Sequence, residues 1–176
     1  MAAIPTVRRV VTGHDSNGNA TVMFEGPAPN ERHRASGVTS TMLWRTETSP
    51  PEFSADADWS LGDFPVAPPD GGAVFRMVDF PPEAEAPDID NEAMLAEMGL
   101  DPDQNADRAG AHRSLHTTRS VDFAVVISGE IDMILDTGEV HLAAGDTFVQ
   151  QGTAHGYINR GSEPCRIAFV LIDAKG

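Results

Sequence analysis

An all-β barrel or sandwich is the fold class that this sequence predicts. Strand-like segments recur about every 8 to 12 residues through the last third of the chain, the spacing of closed or stacked antiparallel sheets. The composition agrees: of 176 residues, 16 are Gly and 13 are Pro, with 40% apolar side chains. A helical bundle would need long runs of 3.6-residue periodicity without such breaks. At this length one domain with its own core is favoured over two.

Residues 1–80 predict an N-terminal extension that contains strands and packs on the barrel or on a partner copy. Residues 7–11 and 20–24 read as two strands, joined by the turn-forming run Asp15-Ser16-Asn17-Gly18-Asn19. Residues 26–33 read as loop, and residues 40–45 as a strand whose Trp44 and Arg45 are candidates to cover the barrel mouth. Residues 73–80 alternate weakly as a further strand. Residues 81–109 form an acidic loop, with nine Asp or Glu and no Lys or Arg in 81–107. Within it one short helix is predicted over 92–98, capped by Asp90 or Asn91 and stopped by Gly99. Its Ala, Met and Leu spacing is that of a packing or lid helix.

Residues 110–176 are the predicted barrel core, with strands at 123–127, 131–135, 140–142, 147–150, 155–159 and 165–172. Each break carries turn residues, among them Gly129, Gly138, Gly145, Gly152 and Gly161.

The formal net charge is −15. Phosphate backbones and anionic membrane surfaces are repelled by such a chain, so neither nucleic acid nor membrane is expected as a partner. The sole cysteine, Cys165, rules out an internal disulfide and a multi-thiolate zinc site. With no signal-peptide pattern and no run of 18 apolar residues, a soluble, cytoplasmic protein is expected.

Three of the six histidines and one carboxylate form the chemically interesting set: His112, His116, Asp122 and His155. Fully extended, residues 116–122 would span roughly 20 Å, too far for two ligands of one ion. Shared coordination therefore requires a reversal near Arg119-Ser120, with His116 and Thr118 facing one side and His155 arriving from a strand across the barrel. Two imidazoles and a carboxylate suit a divalent transition metal (Fe, Mn, Ni or Zn) with open positions for substrate. Tyr157 and Asn159 share strand parity with His155 and can line the same cavity, Tyr157 as a candidate acid or substrate-orienting group.

The segment from Gly110 to Asn159 resembles the two signature motifs of the cupin superfamily. In the first, Gly110, His116, Thr118, Asp122 and Gly129 fall at the motif spacing, with Thr118 in place of a second His and Asp122 in place of Glu. In the second, Gly145, Gly152, His155 and Asn159 match, with Gln150 and Gln151 in the Pro region and one residue fewer before Gly152. The resemblance implies a double-stranded β-helix (jelly-roll) barrel, a metal held by His116, Asp122 and His155, and a homodimer. Asp is shorter than Glu by roughly 1.5 Å, so Asp122 needs a closer backbone or a bridging water to reach the same ion. Thr118, a poor ligand, suits holding a bound water or a substrate oxygen. Gln150, Gln151, Asn159 and His112 are candidate substrate or supporting contacts.

Each residue has a plainer reading: His116 and His155 as hydrogen-bonded core histidines, Asp122 as a turn residue, Tyr157 as packing. Three functions therefore stand side by side. The first is a metal-dependent enzyme on a small organic molecule, of dioxygenase, decarboxylase, lyase or isomerase type with a lean to O₂ chemistry. The others are a metal-free binding barrel and a metal-independent isomerase or dehydratase.

Overall fold

The computed structural model describes residues 5–54, 56–63, 65–100 and 115–175. Gly110 and His112 lie outside them. In chain order the elements are β1 (Arg8–His14), β2 (Ala20–Pro27), β3 (Asn30–His33), β4 (Thr39–Thr46), β5 (Ala73–Phe80), a 3-10 turn (Glu83–Glu85) and α1 (Asn91–Met98). There follow β6 (Ser120–Ser128), β7 (Glu130–Leu135), β8 (Gly138–Ala143), β9 (Thr147–Gln151), β10 (His155–Ile158) and β11 (Cys165–Asp173). No helix among the described residues is long and apolar enough to cross a membrane.

Two sheets make the barrel. A six-stranded sheet runs β3-β4-β5-β11-β6-β9 and a three-stranded sheet runs β10-β7-β8, every pairing antiparallel. Strand parity decides what lies between them. On β11, Cys165, Ile167, Phe169 and Leu171 are buried, and on β6 Asp122, Ala124 and Val126 are buried while Phe123, Val125 and Ile127 face outward. Ile131, Met133 and Leu142 of the smaller sheet close the same cluster. Each such fully buried aliphatic side chain contributes roughly 1.5–3 kcal/mol, so this layer is the principal source of stability.

The N-terminal strands are built into this frame. β3, β4 and β5 extend the large sheet, whereas β1 and β2 form a separate hairpin on its outer side, where Val7, Ala28 and Leu43 cluster with Met77. Its turn is drawn together by Asp15, whose carboxylate accepts from the amides of Asn17 (2.8 Å) and Asn19 (2.9 Å). Arg9 fastens the hairpin by donating to Asp58 at 2.8 Å and to the Leu43 carbonyl at 3.0 Å. Trp44 packs toward Phe24 of this hairpin, and Arg45 pairs with Glu47. Neither is among the residues that line the barrel cavity, and Arg45 instead donates to the Asp63 carbonyl at 3.2 Å.

The expected helix forms with its expected signals. Asp90 accepts from the Ala93 amide at 2.8 Å, and Gly99 ends the helix in the left-handed region at φ 69°. Leu95 is buried, and Met98 is tied by its carbonyl to the Val66 amide at 3.0 Å. The region read as loop at 26–33 contains a strand instead, β3. Its polar sequence has no apolar alternation, and it exists because the edge of β4 supplies hydrogen-bond partners.

Candidate active site in the barrel cavity

A cavity of about 140 Å³ opens between the two sheets and α1. That is space for roughly ten water-sized centres, enough for a small organic molecule. His116, Thr118, Asp122, Gln150, His155, Tyr157 and Asn159 all line it. Of the residues expected around the site, Gln151 does not: it is exposed, because it lies one position on from Gln150 and the strand alternates.

His116 and His155 are direct cross-strand neighbours, not partners across the barrel as expected. Their backbones form an antiparallel bridge, each amide donating to the other's carbonyl at 3.0 Å. Both side chains therefore share one face, with ring centroids 4.4 Å apart. The chain then bends at Arg119 and enters β6 at Ser120 without the reversal expected there, since Thr118, Ser120 and Asp122 keep one face at two-residue spacing.

His155 has a defined tautomer. Its Nδ1 lies 2.9 Å from the Thr153 carbonyl, which can only accept, so Nδ1 carries the proton and Nε2 is the acceptor nitrogen. Burial, with the neighbouring His116, pushes its pKa down to about 3 despite that hydrogen bond, and the ring stays neutral. A neutral imidazole with Nε2 presented is the form that binds metals.

Asp122 is held differently. Ser120 Oγ donates to its Oδ1 at 2.5 Å, and Thr118 Oγ1 lies 3.0 Å from Ser120 Oγ. Because the Ser120 proton is committed to Asp122, Thr118 is the donor in the second bond, giving a Thr118 to Ser120 to Asp122 chain along the wall. Burial raises the Asp122 pKa, opposed by the Ser120 hydrogen bond and the charge of Arg76. Beside it on β9, Gln150 accepts from the Tyr157 hydroxyl at 2.8 Å. Burial, with the Asp122 charge, raises the Tyr157 pKa well above its ordinary value, so the phenol remains a proton donor. Asn159 is a turn-stabilising residue: it donates to the Phe80 carbonyl at 3.0 Å and the Glu163 carbonyl at 2.8 Å, and accepts from the Gly161 amide.

Two imidazoles on one face are donors of the kind a divalent transition metal takes. Among the described residues, however, no three His, Cys, Asp or Glu side chains are placed to share one ion. The structure thus joins His116 to His155 and leaves Asp122 in its hydroxyl chain.

Two lining arginines went unnoticed in the sequence: Arg76 on β5 and Arg34 in the β3–β4 turn. Arg76 is 3% exposed. Its signal was present, since it shares inward parity with Val74 and Val78.

The family model for the Cupin domain matches residues 103–172. Over 182 aligned residues the chain is 31% identical to the cupin-domain-containing oxidoreductase fogC of Aspergillus ruber, covering 98% of this chain and 75% of that protein. It is 30% identical to the phomopsin biosynthesis cluster protein C' of Diaporthe leptostromiformis, covering 97% and 80%. It is also 30% identical to the oryzines biosynthesis cluster protein J of Aspergillus oryzae, covering 97% and 85%. These alignments take in the N-terminal strands that the two motifs leave unexplained. With the motifs, the two-sheet barrel and relatives matched along almost its whole length, the chain belongs to the cupin superfamily, as a member of the Cupin_2 type.

Proposed function

We propose that this chain is an oxidoreductase-type cupin enzyme that takes a small, largely apolar organic molecule into the barrel and uses a divalent transition metal there. The observation that carries the reading is the buried, reciprocally bridged pair His116 and His155 opening into a cavity. The naming of fogC as an oxidoreductase supports the reaction class. His116 and His155 would hold the ion, while Asp122, which lines the same cavity, stays in its hydroxyl chain. Such an ion, when bound, supplies Lewis-acid or one-electron chemistry at its open positions. The chain's own contribution is placement: Thr153 fixes the His155 ring, Gln150 holds the Tyr157 hydroxyl, and Thr118, through Ser120, supplies a hydrogen bond to Asp122 Oδ1. A cytoplasmic location belongs to the same proposal, supported by the single, buried Cys165.

The test is metal analysis of protein purified after supplementation with Fe, Mn, Ni and Zn. One transition-metal ion per chain is expected, falling roughly tenfold or more in His116→Ala and in His155→Ala with unchanged circular dichroism. Metal-free wild-type protein overturns the proposal. A second reading, metal-independent acid–base chemistry through Asp122 and Tyr157, is favoured by the absence of three converging donors among the described residues. Turnover that survives chelators would select it.

We also propose a homodimer formed with a second copy through the outer face of the large sheet. Phe75, Val170, Phe123 and Val149 are consecutive cross-strand neighbours there, three of them 41–55% exposed. An apolar row of this kind is usually covered. Sedimentation should give twice the chain mass, reduced to the chain mass in Phe123→Lys; a monomeric wild type would refute the pairing.

A further inference from the structure

Several polar side chains of the cavity wall are satisfied by the protein itself. Thr118 gives its proton to Ser120, the Tyr157 hydroxyl donates to Gln150, and Asn159 bonds the Phe80 and Glu163 carbonyls. The carboxylates and guanidiniums of the lining are Arg34 and Arg76 with Glu83 and Asp122, two of each sign. Glu97 on α1 stands beside Arg34, and the Asp122 charge supports that of Arg76. Charge is thus balanced within the wall, and a neutral guest suits it.

Two hydroxyls of the same wall stand apart. Ser36 Oγ and Ser40 Oγ belong to residues only 5% and 2% exposed, and neither has a hydrogen-bond partner among the described residues. Both serines line the cavity. Ser40 is carried inward by β4 beside its cross-strand neighbour Val78, which lines the cavity too, whereas the preceding residue of β5, Met77, packs on the other face under the β1–β2 hairpin. Ser36 sits in the β3–β4 turn, which Gly37 closes at φ 84° by donating its amide to the Arg34 carbonyl at 2.9 Å. The Ser36 amide is committed to Glu97 Oε1 at 3.3 Å, so the backbone is held and the hydroxyl is what remains for the cavity. A buried hydroxyl without a partner costs its full desolvation, a cost that an oxygen on a bound molecule removes.

We propose that the substrate is an uncharged, apolar molecule bearing a carbonyl or hydroxyl oxygen, and that Ser36 and Ser40 supply the hydrogen bonds to that oxygen. This deepens the proposed function, on which it rests for the assignment of the cavity as the reaction site. Strands β5 and β11 stand between β4 and β6 in the large sheet, so an oxygen bound at Ser40 leaves the apolar body to run across the cavity toward His116 and His155. Val38, Val78 and the α1 residues Met94 and Met98 line that space. Orientation then comes from two placed hydroxyls in a mainly apolar lining, the usual division in small-molecule sites.

The test is a calorimetric titration with 1-indanone and with indane, its hydrocarbon counterpart. In the double variant Ser36→Ala/Ser40→Ala the affinity for 1-indanone relative to indane should fall by about fivefold or more, with the indane affinity kept within about twofold. Ser40→Cys, which nearly keeps the volume but offers only a weak donor, should lower the same ratio. Stability supplies a readout that needs no ligand. Because the two hydroxyls have no partner in the folded chain, the double variant should melt at or above the wild-type temperature, whereas Ser120→Ala, which loses the bond to Asp122, should melt lower. No binding of 1-indanone to the wild type, an unchanged ratio, equal losses for both probes, or a melting temperature lowered by about 3 °C or more in the double variant would overturn the assignment. Metal content measured on the same samples separates the two ideas. Metal present with an unchanged ratio refutes the serine inference alone, and metal absent with the ratio lowered supports it while refuting the metal-dependent reading.

Discussion

Arg166→Ala is expected to lower folding stability by about 3–5 kcal/mol, the loss typical of a buried ion pair stripped of one partner. Arg166 on β11 and Asp79 on β5 are cross-strand partners. The guanidinium donates Nε to Asp79 Oδ1 at 2.6 Å and Nη2 to Oδ2 at 2.9 Å, a two-point contact that fixes both side chains. Nη2 also donates to the Pro5 carbonyl at 2.7 Å, so the N-terminal segment is tied to the pair. Asp79 is only 2% exposed. Removing Arg166 would leave its carboxylate in a medium that solvates it poorly, whereas removing both charges need cost little. The double variant Asp79→Leu/Arg166→Met should therefore lie much nearer the wild type than Arg166→Ala does. Urea midpoints of the three proteins measure this. A loss below 1 kcal/mol for Arg166→Ala, as for a solvent-exposed pair, would show that the pair is not buried in solution.

That ion pair also shows where sequence reasoning stopped. The last six strands were legible because apolar alternation and turn glycines mark both their faces and their ends, and their observed limits differ from expectation by only a few residues. The helix was legible for a similar reason, with Asp90 and Gly99 marking its ends. Parity told which side chains share a face, so Tyr157 and His155 were correctly placed on the cavity wall. Parity does not tell which strand lies next to which. His116 and His155 were therefore expected across the barrel, while the fold makes them adjacent. The same limit hid the contact between Arg166 and Asp79, separated by 87 positions in sequence. Gln151 was grouped with Gln150 by position in the motif, although alternation alone turns it to solvent. Arg76 was missed for the opposite reason: parity placed it inside, but a charge in an otherwise apolar strand reads as a break in the pattern. A charged residue at an inward position defeats the apolar rule whatever its role, as Asp79 does in its ion pair with Arg166.

Gly129→Ala is expected to cost about 3 kcal/mol, and a graded series explains why the barrel keeps glycine at that motif position. Gly129 joins β6 to β7 with φ 76°, a conformation that costs an L-residue roughly 1–2 kcal/mol. It is also crowded. A Cβ there would meet the Pro164 carbonyl oxygen at 2.7 Å and the Cys165 Cα at 2.9 Å, both backbone atoms of the chain entering β11. Relief would have to shift that strand, adding roughly 1–3 kcal/mol of overpacking. Gly145, the first glycine of the second motif, has φ 96° but nothing within 4 Å of a Cβ. Gly145→Ala should therefore show the backbone cost alone, about 1 kcal/mol or slightly more. Gly138 has neither feature, with open space at its Cβ and no positive φ, and Gly138→Ala should be close to neutral. Thermal or urea denaturation of the three variants must return this order. If Gly145→Ala were as damaging as Gly129→Ala, dihedral preference alone would explain the motif, and the close passage of β11 over the β6–β7 turn would have no part in it.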